Sequence, residues 1–360
     1  MKPLTIVGGG LAGLTLGIGL RQRGVPVMIW EAGGYPRHRV CGEFISGCGP
    51  AALAALGLAE TLVRAGAWTA RTARFGSQQT LSPVRTLPEP ALCLSRYVLD
   101  RCLADEFRRL GGMLREYQRW KGDEFGPGMV RATGRRLRSH LEGWRWFGLK
   151  AHLRNVALDA DLEMHLVPGG YVGLCRLRDG VVNLCGLFQR RTPASISTTP
   201  GVAGARPGTM ALSRSLPLER LRSRLGPELS LRLADAKFDE DSACAVAGLS
   251  FQRHRATTPT ACCVGDAISM IPPATGNGMS MAFESAVCAL DPLTAYTRGA
   301  MSWDEAQQAV ARVCDQRFRR RLVWGRWLDW TLFQPGLREA VARWAPRSDW
   351  VWRTLFARTR

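Results

Sequence analysis

The chain has 360 residues, 46% hydrophobic and 22% charged, a balance that supports buried cores and excludes wholesale disorder. Its length exceeds the usual single-domain size and predicts two intertwined domains. The formal charge is +19 and nearly all arginine, since lysine stands only at Lys2, Lys121, Lys150 and Lys237; such a field attracts anions without choosing among nucleic acid, anionic lipid, acidic carrier proteins and anionic substrates.

The eleven cysteines are scattered through apolar stretches such as Ala261-Cys262-Cys263-Val264, with neither CxxC pairs nor metal-ligand spacing. They predict reduced, buried thiols in a cytoplasmic protein and no structural metal. The opening carries one early positive charge and a dense glycine run, which does not fit a signal peptide. No uninterrupted apolar run is long enough for a membrane-spanning helix.

In chain order, Leu4 to Val7 predicts a strand, Leu11 to Arg23 a helix closed by Gly24, and Val27 to Trp30 a second strand, together a βαβ unit. Alanine and leucine recur at helical spacing from Ala51 to Gly66. A further helix is predicted from Tyr97 to Leu110, with Leu99, Leu103, Phe107 and Leu110 as its apolar stripe and Ser95 as its cap. After Gly143 the texture changes: Trp144 to Leu153, Leu162 to Val167, Tyr171 to Leu177 and Val181 to Phe188 predict an antiparallel meander. Gly169-Gly170 and Asp179-Gly180 supply its hairpin turns. Thr192 to Thr209 predicts a long surface loop. Leu216 to Ala236 is helical in pattern, Ala243 to Phe251 and Ala261 to Val264 strand-like, and the chain beyond Ala282 mostly helical.

Gly8-Gly9-Gly10-Leu11-Ala12-Gly13 is a GxGxxG turn placed between a strand and a helix, with Glu31-Ala32 closing the next strand. The glycines Gly8, Gly10 and Gly13 permit a tight turn, close approach of a pyrophosphate and close helix packing. Leu11 and Ala12 open the helix whose N-terminus faces the phosphates, and Glu31 accepts from ribose hydroxyls. The second segment is Gly265-Asp266 at a strand tip, followed by Pro272-Pro273 and Gly276-Asn277-Gly278-Met279. An aspartate there suits ribityl hydroxyls, and a glycine-rich turn opening a helix directs partial positive charge at a flavin. These two segments predict an FAD site.

Together with Arg39-Val40-Cys41-Gly42-Glu43-Phe44-Ile45-Ser46, Ser95-Arg96 and Ala132-Thr133-Gly134-Arg135, those motifs resemble the geranylgeranyl reductase and p-hydroxybenzoate hydroxylase-like flavin monooxygenase superfamily over roughly residues 1 to 290. The resemblance implies an α/β fold: a Rossmann-like FAD-binding domain (1–66, 96–140 and 254–290), an inserted antiparallel β-sheet substrate domain (67–95 and 141–253), and C-terminal helices (291–360). By the same resemblance Arg96 touches the ribityl or phosphate region, Cys41, Gly42 and Glu43 lie beside the flavin ring, and Arg39, Gly134, Pro273, Gly276, Asn277, Gly278 and Met279 complete the cofactor set. NAD(P)H is a transient co-substrate, because no second GxGxxG stands between a strand and a helix.

Lys150 and His152 lie two apart in a predicted strand and so share a face; with Glu43 they are the candidate proton donor and oxyanion stabilisers. The expected activity is monooxygenation of a small hydrophobic, aromatic or polyketide-like molecule. Two alternatives stay open, a reductase of prenyl or other C=C bonds and a maturase oxidising a side chain of a partner polypeptide. The tryptophan-containing motif of flavin halogenases is not found. The tail from Arg317 to Arg360 interleaves arginine with Trp324, Trp327, Trp330, Trp344, Trp350 and Trp352. It predicts a helical cap, with an acidic carrier protein, a polypeptide partner or peripheral membrane contact as the other readings. Nucleic acid rests on net charge alone and is not assigned.

Overall fold

The computed structural model describes the chain except for residues 78–79, 123, 136–142, 193–214, 250, 252–254, 258–260 and 345–346. The loop expected over 192–209 lies, from residue 193 on, outside the described residues. The chain opens with β1 (Leu4–Val7), α1 (Leu11–Gln22) and β2 (Val27–Trp30), almost to the residue as periodicity predicts. Gly24, at φ +78°, turns the chain out of α1 in the left-handed conformation that glycine adopts freely. After β3 (Phe44–Ile45), the helix expected over 51–66 is two short ones, α2 (Gly49–Ala54) and α3 (Ala59–Arg64). Gly57 at φ +69° stops α2, and the Leu58 N–H donates to the Leu53 carbonyl at 3.0 Å. That left-handed cap is invisible to an alanine–leucine count.

β4 (Trp68–Gly76) and β5 (Arg85–Cys93) lead to α4 (Arg96–Arg109), where the Ser95 side chain accepts from the Tyr97 N–H and Leu99, Leu103 and Phe107 are fully buried, as predicted. Next come β6 (Met113–Arg115), β7 (Met129–Arg131), β8 (Gly143–Arg154), β9 (Leu162–Val167), β10 (Gly170–Arg176) and β11 (Val182–Thr192), then α5 (Ser215–Arg222), α6 (Pro227–Arg232), β12 (Lys237–Leu249) and β13 (Cys262–Cys263). The rest is helical: α7 (Gly278–Thr297), α8 (Trp303–Phe333), α9 (Pro335–Trp344) and α10 (Asp349–Thr359). No described helix is long and apolar enough to cross a membrane.

Two sheets organise these elements. The first is parallel, in the order β13-β7-β1-β2-β6. The second runs β12-β8-β11-β10-β9-β4-β5-β3 and is antiparallel except between β4 and β9. The meander is therefore shorter than expected: it comprises β9 to β11, while β8 pairs with the far side of β11. Asp161 explains the crossing, because its carboxylate accepts from the backbone N–H groups of Arg71 and Thr72 and fastens the link after β8 to β4. Asp179 and Gly180, at φ +58° and +69°, turn β10 into β11 as predicted. At Gly169-Gly170 only Gly169 turns left-handed; Gly170 enters β10, where a Cβ would stand 2.2 Å from the Leu187 carbonyl oxygen.

Strand alternation sorts the second sheet into two faces. Leu149, Ala151 and Leu153 of β8 pack with Val172, Leu174 and Leu184 beneath Leu218, Leu221 and Leu229 of α5 and α6. Trp146, Gly148, Lys150 and His152 take the opposite face, toward the first sheet's loops. α7 packs on α1, and α8 on α7, so the C-terminal helices brace the parallel sheet from the α1 side.

Candidate functional site

The carboxyl ends of β1, β2, β7 and β13 converge, and each carries a residue picked out from sequence: Gly8, Glu31, Gly134 and Gly265. In open α/β sheets, ligands bind in this crevice. Glu31 is buried, accepts from the Gly9 and Gly33 N–H groups at 2.9 and 2.8 Å, and pairs with Arg37 at 2.8 Å. Burial alone would raise its carboxyl, but Arg37 and the Gly33 N–H hold it below the usual range. Ala32 beside it is exposed. A Cβ on Gly13 would lie 2.0 Å from the Gly8 carbonyl oxygen, and one on Gly8 2.2 Å from that of Ala132; both glycines are demanded by packing. By contrast a Cβ on Gly10 or Gly134 would meet nothing within 4 Å, so the backbone there borders open space.

The second segment joins the first directly. Gly265, at φ +64°, approaches so closely that its Cβ would stand 2.8 Å from that of Ala12, and its N–H donates to Ser285 of α7 at 2.8 Å. Asp266 is half-buried; desolvation raises its carboxyl, with Arg135 and Arg96 offsetting part. Gly276 turns left-handed before Asn277 and Gly278 start α7, with Met279 buried in the first turn. The Ser46 hydroxyl donates to the Gly276 carbonyl at 3.0 Å, tying the Arg39–Ser46 segment to this turn.

Several buried polar atoms around this crevice have no partner: Nε and Nη2 of Arg37, and Oδ1 of Asn277. Arg39 Nε also makes no hydrogen bond, lying 3.5 Å from Asp100. One guanidinium paired with the carboxylate at the tip of β2, a second beside Asp100 and an unused acceptor at the second turn match the donor and acceptor set of a flavin dinucleotide. Arg96 has both its Nε and Nη2 taken by Asp100, at 2.7 and 2.9 Å. Sequence reasoning missed Arg37 and Asp100; the Arg37-His38-Arg39 run between Glu31 and Cys41 was a readable signal for the first.

Beside the second turn lies an apolar cavity of about 240 Å³. Cys41 and Gly42 form one wall, Pro273 to Thr275 another, and the cavity face of β9 to β11 a third; α8 and α10 close it with Leu328, Leu332, Leu355 and Phe356. Part of the arginine–tryptophan tail thus packs as a cap, with Trp352 against Phe75.

Glu43, Lys150 and His152 do come together. Glu43 is fully buried at φ +60°; its carboxylate lies 2.6 Å from His152 Nε2 and 3.2 Å from Lys150 Nζ, and accepts from the Arg96 N–H at 2.9 Å. Lys150 Nζ also meets Nδ1 of His38 at 3.0 Å. Burial would raise the Glu43 carboxyl, yet His152 and Lys150 hold it low. Burial, then Lys150 and His152, push His38 down to about 4. None of the three predicted residues lines the apolar cavity. They stand behind the Cys41–Gly42 wall, and His152 and His38 instead face an open polar cleft with Tyr97 and Asp239. Glu43 follows directly on Cys41 and Gly42, so the cluster is tied to that wall.

Neither a family profile nor a curated relative matches this sequence. The fold, however, has clear likenesses among solved structures. PqsL, a probable FAD-dependent monooxygenase from Pseudomonas aeruginosa, is 15% identical over 94% of this chain and 99% of its own, with a TM-score of 0.67. The flavin-dependent brominase Bmp2, as a triple mutant, is 17% identical over 98% and 93%, with a TM-score of 0.69. A flavoprotein/dehydrogenase from Cytophaga hutchinsonii is 15% identical over 97% and 90%, with a TM-score of 0.70. The chain thus shares the fold of these flavoprotein structures, which is the fold the sequence motifs imply.

Proposed function

We propose that this protein is an FAD-dependent monooxygenase that takes electrons from NAD(P)H and inserts one oxygen atom from O2 into a small apolar, aromatic or polyketide-like molecule. The observation that carries this reading is a shared wall: residues 273–275 belong both to the second glycine-rich turn and to the lining of an apolar cavity. Glu31, Arg37, Arg39, Asp266 and Asn277 would hold the dinucleotide, which supplies electron transfer and oxygen activation when bound. The chain's own work is to align the substrate, to keep water out with leucine and phenylalanine side chains, and to hold the Cys41–Gly42 wall rigid through the Glu43 cluster. PqsL, crystallised with 2-aminobenzoylacetate, supports an aromatic substrate, and the brominase raises halogenation as the competing outcome.

The test is to load the purified chain with FAD and supply NADPH or NADH, 18O2 and a panel of phenols and aromatic ketones, with and without bromide. One 18O atom in the product is the expected result. A brominated product, or a saturated C=C bond formed without oxygen, would move the activity to a halogenase or a reductase. A chain that takes up no FAD would remove the basis of all three.

A further inference from the structure

The C-terminal helices leave uncovered a set of side chains that burial would normally claim. Seven of the fifteen large hydrophobic side chains exposed among the described residues lie between 313 and 350, and four of these are tryptophans: Trp327, Trp330, Trp344 and Trp350, 47%, 57%, 67% and 75% exposed. Single exposed apolar residues need no explanation, but indoles gathered on neighbouring helices mark an interaction surface. None of the four lines the apolar cavity, so they are offered outward and not to a small molecule held there.

α8 shows how they are presented. Gln316, Arg320, Val323, Trp327, Trp330 and Gln334 recur at helical spacing and are all exposed, so they form one continuous outward face. The helix is two-sided within the same turns, since Leu328 and Leu332 line the cavity. Trp324 packs edge-on against Trp327 at 5.6 Å and lies beneath the Arg358 guanidinium of α10 at 5.7 Å, which carries the aromatic surface from α8 onto α10. The charge on the face is of one sign. From Arg312 to Gln334 no acidic residue is exposed, whereas Arg312, Arg319 and Arg320 are. Asp315 is taken up by the Ala256 and Thr257 N–H groups at 2.6 and 3.3 Å, and Asp329 is buried.

Arginine draws such a face to a negative surface, and tryptophan settles at the boundary of water and hydrocarbon, with its ring among acyl chains and its N–H toward the headgroups. No described helix is long and apolar enough to span a bilayer, so contact of this kind is peripheral. We infer that the outward face of α8, with Trp344 and Trp350 on the helices packed against it, seats on an anionic lipid bilayer. The helix that walls the cavity then rests on the phase in which an apolar substrate dissolves. The inference is independent of the chemistry proposed above, because docking does not require the chain to hydroxylate, halogenate or reduce.

The experiment is flotation of the full chain, with FAD and without it, on vesicles of phosphatidylcholine alone or mixed with phosphatidylglycerol, for wild type, W327A/W330A and R319Q/R320Q. The wild type floats with the mixed vesicles at least about tenfold better than with phosphatidylcholine alone, and added salt weakens it. Each double variant binds the mixed vesicles about tenfold less well or worse, with Tm unchanged because the replaced side chains are exposed. Brominated acyl chains in those vesicles quench the tryptophan fluorescence of the wild type and quench W327A/W330A distinctly less. No flotation, equal flotation with both vesicles, or flotation that neither variant weakens would overturn the inference. Loss in R319Q/R320Q alone, with no quenching by brominated chains, would remove the seating of the indoles and leave only a charged patch. Vesicles left unbound, while a purified acidic acyl carrier protein binds and is lost in both variants, would give the face to a protein partner instead. Flotation by a chain that takes up no FAD would sink the monooxygenase reading alone.

Discussion

Glu43 shows how a residue can be legible in identity while its surroundings are not. The Cys41-Gly42-Glu43 motif and the period-two spacing of Lys150 and His152 were visible in sequence. What was not visible is that Glu43 adopts φ +60°, which swings its carboxylate behind the wall to meet them. Glu43→Gln leaves the fully buried Lys150 ammonium without its counter-charge and should destabilise the protein by about 3 kcal/mol. Glu43→Gln/Lys150→Met should recover much of that loss, as a denaturation double-mutant cycle would show. Asp329 behaves in the opposite sense. Its burial pushes the carboxyl up to about 7 from 3.8, so the folded state keeps its proton longer than the unfolded one. Its contribution to stability is full below pH 3.8, declines as pH rises toward 7 and is flat beyond. Asp329→Asn should therefore stabilise the protein by roughly 2–3 kcal/mol more at pH 8 than at pH 5, read from urea midpoints at the two pH values.

At the scale of the element, the turn between β1 and α1 separates two uses of glycine that a motif search treats alike. Gly13 has no room for a methyl group, and Gly10 has nothing in front of it. Gly13→Ala should lower Tm and cripple folding, whereas Gly10→Ala should leave Tm of the FAD-free chain unchanged and weaken FAD binding by about tenfold or more, measured by flavin fluorescence. Elements with a continuous local signal were legible: β1, α1, β2 and the Ser95-capped α4 appear where periodicity and capping place them. Those whose partners are remote were not. The stop at Gly57 depends on one backbone conformation, and the placement of β8 outside β11 depends on Asp161 reaching β4. Neither leaves a trace in hydrophobic spacing.

For the whole molecule, the sequence revealed two layers and a discontinuous nucleotide-binding sheet because the Gly8–Glu31 and Gly265–Met279 segments announce the same ligand. The cavity was hidden, since it is assembled from strands, a turn and tail helices that share no motif. The order of strands in the first sheet has its own consequence during synthesis. β7 receives its outer neighbour only when residue 262 arrives, and α1, buried on every side, is covered by α7 only once residues near 290 exist: Leu290 is the side chain that Gly19 touches. The nascent N-terminal βαβ unit must therefore wait on the ribosome with its leucine-rich helix uncovered while more than half the chain is still to be made. A chain stopped after residue 140 should be held by chaperones or aggregate, and adding residues 254–297 in trans should improve its recovery, as sedimentation of the released fragments would reveal.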